Sequence, residues 1–235
     1  MIEYRKASDR FESRIDWLDS RHSFSFGHHY DPSNLGFGPL RVVNEDWIDA
    51  RSGFPTHSHR EMEILTYVIA GTLSHRDSEG SDDAVRPGRL QLMHAGTGIA
   101  HSEINHGDET VHLLQIWIEP DRKGTAPAYE MLDYALSPGV PTVLASSDAE
   151  AGGLPLRQDA TVSALQLEAQ QSFTWPLSAN RRGWIQVVSG AGEVSSLPFE
   201  AGDAFAIDET EGLELKASRD AEFVLFELPQ NDTRA

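Results

Sequence analysis

The chain contains no cysteine. Disulfides, thiol nucleophiles and thiolate metal sites are excluded together, so any metal must be held by nitrogen and oxygen. No run approaches the ~20 consecutive apolar residues that a membrane-spanning helix needs. The opening Met1-Ile-Glu-Tyr-Arg-Lys6 lacks the apolar stretch of a secretory signal, and the expected compartment is the cytoplasm. Positive charge is scarce, with 19 Lys and Arg against 37 Asp and Glu, a net charge of -18 and a pI near 4.8. Binding through a nucleic-acid backbone wants the opposite balance, so no direct nucleic-acid contact is expected. Histidine is absent from the whole second half: all ten lie between His22 and His112. Histidines used only for structure would be spread more evenly, which points to a site confined to one half.

What is present describes an ordinary globular chain. At 235 residues, 39% hydrophobic and 24% charged, it can bury a sizeable core. Short apolar or alternating runs recur every 8 to 12 residues between Gly, Pro and Asp punctuation, which indicates a β-sandwich or barrel. Strands are expected around Phe24 and Phe26, Leu40–Val43, Ile64–Ala70, Leu73–Asp77, Pro87–Met93 and Thr110–Glu119. Asn44-Glu-Asp46 reads as a turn, and Ala128–Leu136 as a short helix within a connection. A second β-rich half follows, with strands at Val162–Glu168, Trp184–Gly190, Gly202–Ile207 and Glu222–Leu228. The expected organisation is a first unit over 1–120, a connection over 121–145, a second unit over 146–228 and a flexible tail over 229–235.

The stretch from Gly53 to Asn105 concentrates the chemistry. His57 and His59 are spaced i, i+2, as are His101 and Glu103. On a strand, that spacing puts both side chains on one face, about 7 Å apart. Two such strands side by side would converge four donors on one point. Glu61 and Glu63 share the parity of His57 and His59, which leaves Glu63 as a competitor for the carboxylate position. His94, His106 and His112 are candidates to orient ligand imidazoles, though each is as readily a plain structural histidine. His28 and His29 sit beside Tyr30-Asp-Pro in a loop and are expected to be exposed.

The two halves look like copies. Tyr67-Val-Ile-Ala-Gly71 matches Gln186-Val-Val-Ser-Gly190, and Pro87-Gly88 matches Ala201-Gly202. Counting from these glycines puts His57 opposite Pro176, His59 opposite Ser178, His101 opposite Leu215 and Glu103 opposite Ala217. The second unit has lost every candidate ligand.

Gly53-x3-His57-x-His59-x3-Glu63-x7-Gly71, followed by Gly88-x5-His94-x-Gly96-x4-His101-x3-Asn105, resembles the two cupin motifs. It departs from the usual pattern in a first glycine two residues closer to the histidine, His94 in place of proline, and two extra residues before His101. Those departures are similar to the pirin branch of the bicupins, as are His22-Ser-Phe-Ser-Phe-Gly27, Tyr30-Asp-Pro32 and Ala95-Gly-Thr-Gly-Ile-Ala-His-Ser-Glu103. Bacterial quercetinase-like pirins are the nearest in kind. The resemblance implies an all-β fold of two tandem jelly-roll cupin barrels with few short helices. It also implies one divalent transition metal held by His57, His59, His101 and Glu103, with Fe(II) favoured and Mn, Co, Ni, Cu or Zn compatible. Three imidazoles and a carboxylate leave open positions on a six-coordinate metal, which suits catalysis rather than a closed structural site. The implied activity is a quercetin 2,3-dioxygenase-like ring opening of a flavonol by dioxygen, with Glu103 as general base and Phe54 and Met62 beside the aromatic substrate. The alternative is a metal-dependent, protein-binding regulatory pirin with incidental quercetinase activity. A monomer is expected.

Overall fold

The computed structural model describes residues 1–178, 180–210 and 212–230. The chain opens with β1 (Ile2–Arg5) and a 3-10 turn, Ala7–Asp9. Then come β2 (Phe11–Ile15), β3 (Leu18–His22), β4 (Leu40–Ile48), β5 (Gly53–His59), β6 (Glu63–Ala70), β7 (Leu73–Asp77), β8 (Asp82–Val85), β9 (Arg89–His94), β10 (Ile99–Ile104), β11 (Val111–Ile118) and β12 (Ala128–Asp133). The remaining strands are β13 (Thr142–Ser146), β14 (Leu154–Pro155), β15 (Thr161–Leu167), β16 (Ser172–Trp175), β17 (Arg181–Ser189), β18 (Ala191–Val194), β19 (Leu197–Glu200), β20 (Ala204–Ile207), β21 (Leu213–Ala217) and β22 (Ala221–Pro229). Among the described residues no α-helix is present, and none is long and apolar enough to cross a membrane.

Two compact units result, one of Arg10–Tyr134 and one of Met1–Asp9 with Ala135–Ala235. In the first, a seven-stranded sheet of order β12-β9-β6-β11-β4-β3-β2 faces a four-stranded sheet of order β5-β10-β7-β8. In the second, the orders are β1-β20-β17-β22-β15-β13-β14 and β16-β21-β18-β19. The inner strands of the two lists correspond in order, as the matching glycine-ended segments anticipate, but the outermost differ: β14 pairs parallel to β13, whereas β2 pairs antiparallel to β3. Gly71 (φ 82°) and Gly190 (φ 92°) end equivalent strands in a left-handed conformation that a residue with a Cβ adopts only with strain.

The cores differ. In the second unit, apolar side chains of both sheets, among them Ile185, Phe199, Phe205, Leu215, Phe223 and Leu225, form one continuous cluster. Leu215 and Ala217, at the positions equivalent to His101 and Glu103, are fully buried within it. In the first unit the apolar packing is divided. One cluster gathers Ile48, Val68, Leu73, Val85, Val111 and Leu113. Another gathers Ile64, Met93, Ala95 and Ile99.

Several expectations need correction. The first nine residues belong to the second unit: β1 pairs with β20, Tyr4 stacks on Phe205 with ring centroids 5.1 Å apart, and its hydroxyl donates to Asp203 at 2.7 Å. The connection expected over 121–145 carries elements of both units, and Ala128–Asp133 is a strand paired with β9 rather than a helix. Phe24 and Phe26 lie in an irregular segment pinned by the Phe26↔His29 and Phe37↔Leu40 bridges, not in a strand. Asn44, Glu45 and Asp46 are not a turn but the buried middle of β4. Of the tail, Pro229 ends β22 and Gln230 donates to Asp208 at 2.9 Å; residues 231–235 lie outside the described residues.

Candidate metal centre

Three neighbouring strands of the four-stranded sheet build the centre. Strand β10 lies between β5 and β7, with His101 opposite His57 on one side and opposite Asp77 on the other. Each strand contributes an i, i+2 pair: His57 and His59 from β5, His101 and Glu103 from β10, His75 and Asp77 from β7. A bulge in the β5–β10 pairing, where His101 meets His57 but Glu103 meets Phe54, adjusts the approach. Gly53 starts β5 against the backbone of Glu103 and Ile104, where any Cβ would collide with the Glu103 carbonyl oxygen.

The imidazoles converge. Ring centroids lie 4.4 Å apart for His57 and His101, 4.8 Å for His57 and His59, and 4.9 Å for His59 and His101. One ring nitrogen from each falls within 4.8 Å of the others. His57 Nδ1 lies 2.8 Å from the Pro55 carbonyl oxygen, to which it must donate, leaving Nε2 as a lone-pair donor for a metal. His101 is 1% exposed, and its Nε2 is buried with no hydrogen-bond partner in the protein. A buried imidazole nitrogen aimed at two other imidazoles and bonded to nothing fits a metal ligand. Burial, then the neighbouring imidazoles, lowers His59 to about 4 and His101 to about 3. Both are therefore neutral and able to ligate at physiological pH.

Glu103 is not in that trio. It forms a second group of ligand spacing with His101 and His75. Its carboxylate accepts from Thr66 Oγ1 at 3.3 Å, Gln91 Nε2 at 3.5 Å and Gln115 Nε2 at 2.9 Å. Glu63, the competing carboxylate, is elsewhere. The chain turns between β5 and β6 at Glu61, whose φ is 54°, so the parity from His57 does not carry over. Glu63 instead pairs with His94 Nδ1 at 2.7 Å. His112 bonds Glu45 at 2.8 Å, and His106 and His28 are exposed. Of His94, His106 and His112, none contacts an imidazole of the trio. The one that does is His75, whose Nδ1 lies 3.4 Å from that of His101. The His75-x-Asp77 spacing, the same i, i+2 pattern on the adjacent hairpin strand, is the signal that would have found it.

A cavity of about 260 Å³ opens beside the cluster. Leu18, Phe26, Phe54 and Trp117 supply apolar lining, while His57, His59, Glu103, Gln115 and Asp46 supply polar groups. Trp117 meets His59 edge-on at 4.8 Å. Met62, expected here, packs instead against the Ile64–Met93 cluster.

Asp46 is 3% exposed and bonded to Ser20. Burial lifts its carboxyl to about 7, with the Glu103 and Glu45 charges adding to the rise and the Ser20 bond opposing it. Unfolded, it ionises near 3.9. The folded state therefore holds the extra proton between those values, and this contribution to stability fades as pH rises towards 7. In metal-free protein, Asp46→Asn is expected to stabilise more at pH 8 than at pH 5.5, by on the order of 2 kcal/mol. Thermal unfolding at the two pH values measures this; equal shifts would show that the carboxyl is not held neutral.

Paired jelly-roll units, one with a histidine cluster and one with apolar packing in its place, define a bicupin. The pirin family profile matches residues 4–118, and that of the quercetinase C-terminal cupin domain matches residues 143–228. The chain belongs to the pirin family. It is 43% identical to a quercetin 2,3-dioxygenase of Escherichia coli strain K12, over 97% of this chain and 99% of that protein. It is 41% identical to a putative quercetin 2,3-dioxygenase of Pseudomonas aeruginosa, over 97% of this chain and 100% of the other. Among solved structures, the bacterial pirin YhhW of E. coli in complex with nickel(II) superimposes with a TM-score of 0.94 at 41% identity, covering 98% of this chain and 100% of that one.

Proposed function

We propose that the chain is a metal-dependent dioxygenase acting on flavonol-type aromatic substrates, with the metal held by His57, His59, His101 and Glu103. The observation that carries this reading is the unpartnered Nε2 of His101, buried within a three-imidazole cluster at the wall of an aromatic-lined cavity. Relatives named as quercetin 2,3-dioxygenases at 41–43% identity support the substrate class. Fe(II) is the metal proposed for dioxygen chemistry, with Ni(II), which the related YhhW structure contains, as the direct alternative.

Bound here, a divalent metal supplies Lewis acidity towards a substrate oxygen and open coordination positions for reaction. The protein does the rest. Phe26, Phe54, Leu18 and Trp117 hold a flat aromatic body and exclude water. Glu103, fixed by Thr66, Gln91 and Gln115, takes the proton of the flavonol hydroxyl. The neutral imidazoles keep their lone pairs for ligation at the working pH.

The test is metal analysis of protein purified without added metal, followed by flavonol turnover under air and under nitrogen. Metal at about one equivalent, oxygen consumption and carbon monoxide release in air, and no turnover under nitrogen are expected. Bound metal with no oxygen uptake would overturn the dioxygenase reading.

A further inference from the structure

His75 and Asp77 take part in no step described so far, yet neither side chain has any exposure to solvent. Asp77 Oδ1 accepts the backbone N–H groups of Glu79 at 2.9 Å and Ser81 at 3.0 Å. Its Oδ2 lies 3.0 Å from His75 Nε2. Burial works against its charge, but the bonds from His75, Ser81 and Glu79 hold the carboxyl below its usual range. An ionised carboxylate only accepts, so Nε2 of His75 carries a proton and donates it. A neutral imidazole has one such proton, which leaves Nδ1 of His75 as an acceptor.

That acceptor faces His101 Nδ1 at 3.4 Å. Two ring nitrogens bond only when one of them carries hydrogen, so His101 keeps its proton on Nδ1 and its lone pair on the unpartnered Nε2. Stacking on Tyr129, with ring centroids 4.5 Å apart and planes at 23°, holds the His75 ring in place. We infer that Asp77 and His75 form a positioning relay that sets the tautomer of His101 and so prepares its Nε2 to take a metal. A carboxylate behind a ligand imidazole commonly fixes its tautomer; here a second imidazole stands between them. The inference rests on His101 being a ligand, but its first test needs no metal.

Long-range 1H–15N imidazole spectra of metal-free protein are expected to place the His101 proton on Nδ1. Asp77→Asn is nearly isosteric and reverses the relay. The two backbone N–H groups keep the amide oxygen on their side, so the amide NH2 faces His75 Nε2 and donates to it. The His75 proton then sits on Nδ1 and is donated as a hydrogen bond to His101 Nδ1, which must accept, so the single His101 proton sits on Nε2. The spectra should show that flip, and nickel(II) titration should show affinity falling about 10- to 100-fold. His75→Phe removes the acceptor and should weaken nickel(II) similarly. His75→Asn, whose Oδ1 is bonded to Cγ as ring Nδ1 is, should recover part of the loss. A wild-type His101 protonated on Nε2, or an Asp77→Asn protein with the wild-type tautomer, would overturn the relay. Failure of the wild-type protein to bind nickel(II) despite the expected tautomer would strike the metal centre instead.

Discussion

A Glu103→Gln variant is expected to keep its metal on the three imidazoles and to lose flavonol cleavage by about 10²- to 10⁴-fold in kcat, the usual contribution of a positioned general base. The site should tolerate the change. The groups bonded to the Glu103 carboxylate, Thr66, Gln91 and Gln115, all donate to it. A glutamine must turn its NH2 towards one of them, and the Thr66 hydroxyl, which can rotate to accept, is suited to that. The informative comparison is metal content and turnover together, beside His101→Ala, which should lose metal and activity at once. Metal-loaded Glu103→Gln with unchanged turnover would remove the carboxylate from proton transfer.

The second large effect concerns the unit without ligands. Phe223 is fully buried and meets Phe199 edge-on, with centroids 5.2 Å apart. Phe223→Ala is expected to destabilise that unit by about 3–5 kcal/mol, through lost burial and the cavity left behind. Metal binds only folded ligands and stabilises what it binds. Adding nickel(II) should therefore raise the transition of the Arg10–Tyr134 unit and leave the Phe223→Ala loss in place. Denaturant unfolding with and without metal reads both effects. A loss under 1 kcal/mol would mean that this core is not what holds the unit together.

The parts of the fold legible from sequence were those where one pattern dominated. The strand of Ile64–Ala70, the long run into Ile118 and the glycine-ended repeats all reappear, because local periodicity and core burial agree there. The misreadings fall where function or distant pairing overrides that agreement. Asn44-Glu-Asp46 has the composition of a turn, yet it forms the middle of β4: Asp46 and Asn44 face the cavity, and Glu45 pairs with Arg10 and His112. The partner of β1 lies some two hundred residues away along the chain, beyond the reach of any local pattern. At the site, the i, i+2 spacing put His57 and His59 on one face of β5, and their rings meet that of His101, but it could not foresee the turn at Glu61 that carries Glu63 away. His75 was overlooked although His75-x-Asp77 carries the same i, i+2 spacing, because that spacing gains its meaning only once β7 is known to lie beside β10.

The side-by-side placement of β5, β10 and β7 makes the centre a gauge of alignment. Because side chains on a strand alternate with a period of two, a slip of one residue in either pairing would point a whole set of donors at solvent. The close backbone approach at Gly53 and the bulge near Pro55 hold one of those pairings in step. Affinity for an ion therefore reports whether β5 and β10, which carry the proposed ligands, are in register, and a substitution well away from any imidazole can abolish it by letting one of them slide; a slip of β7 would weaken it by withdrawing His75 and Asp77.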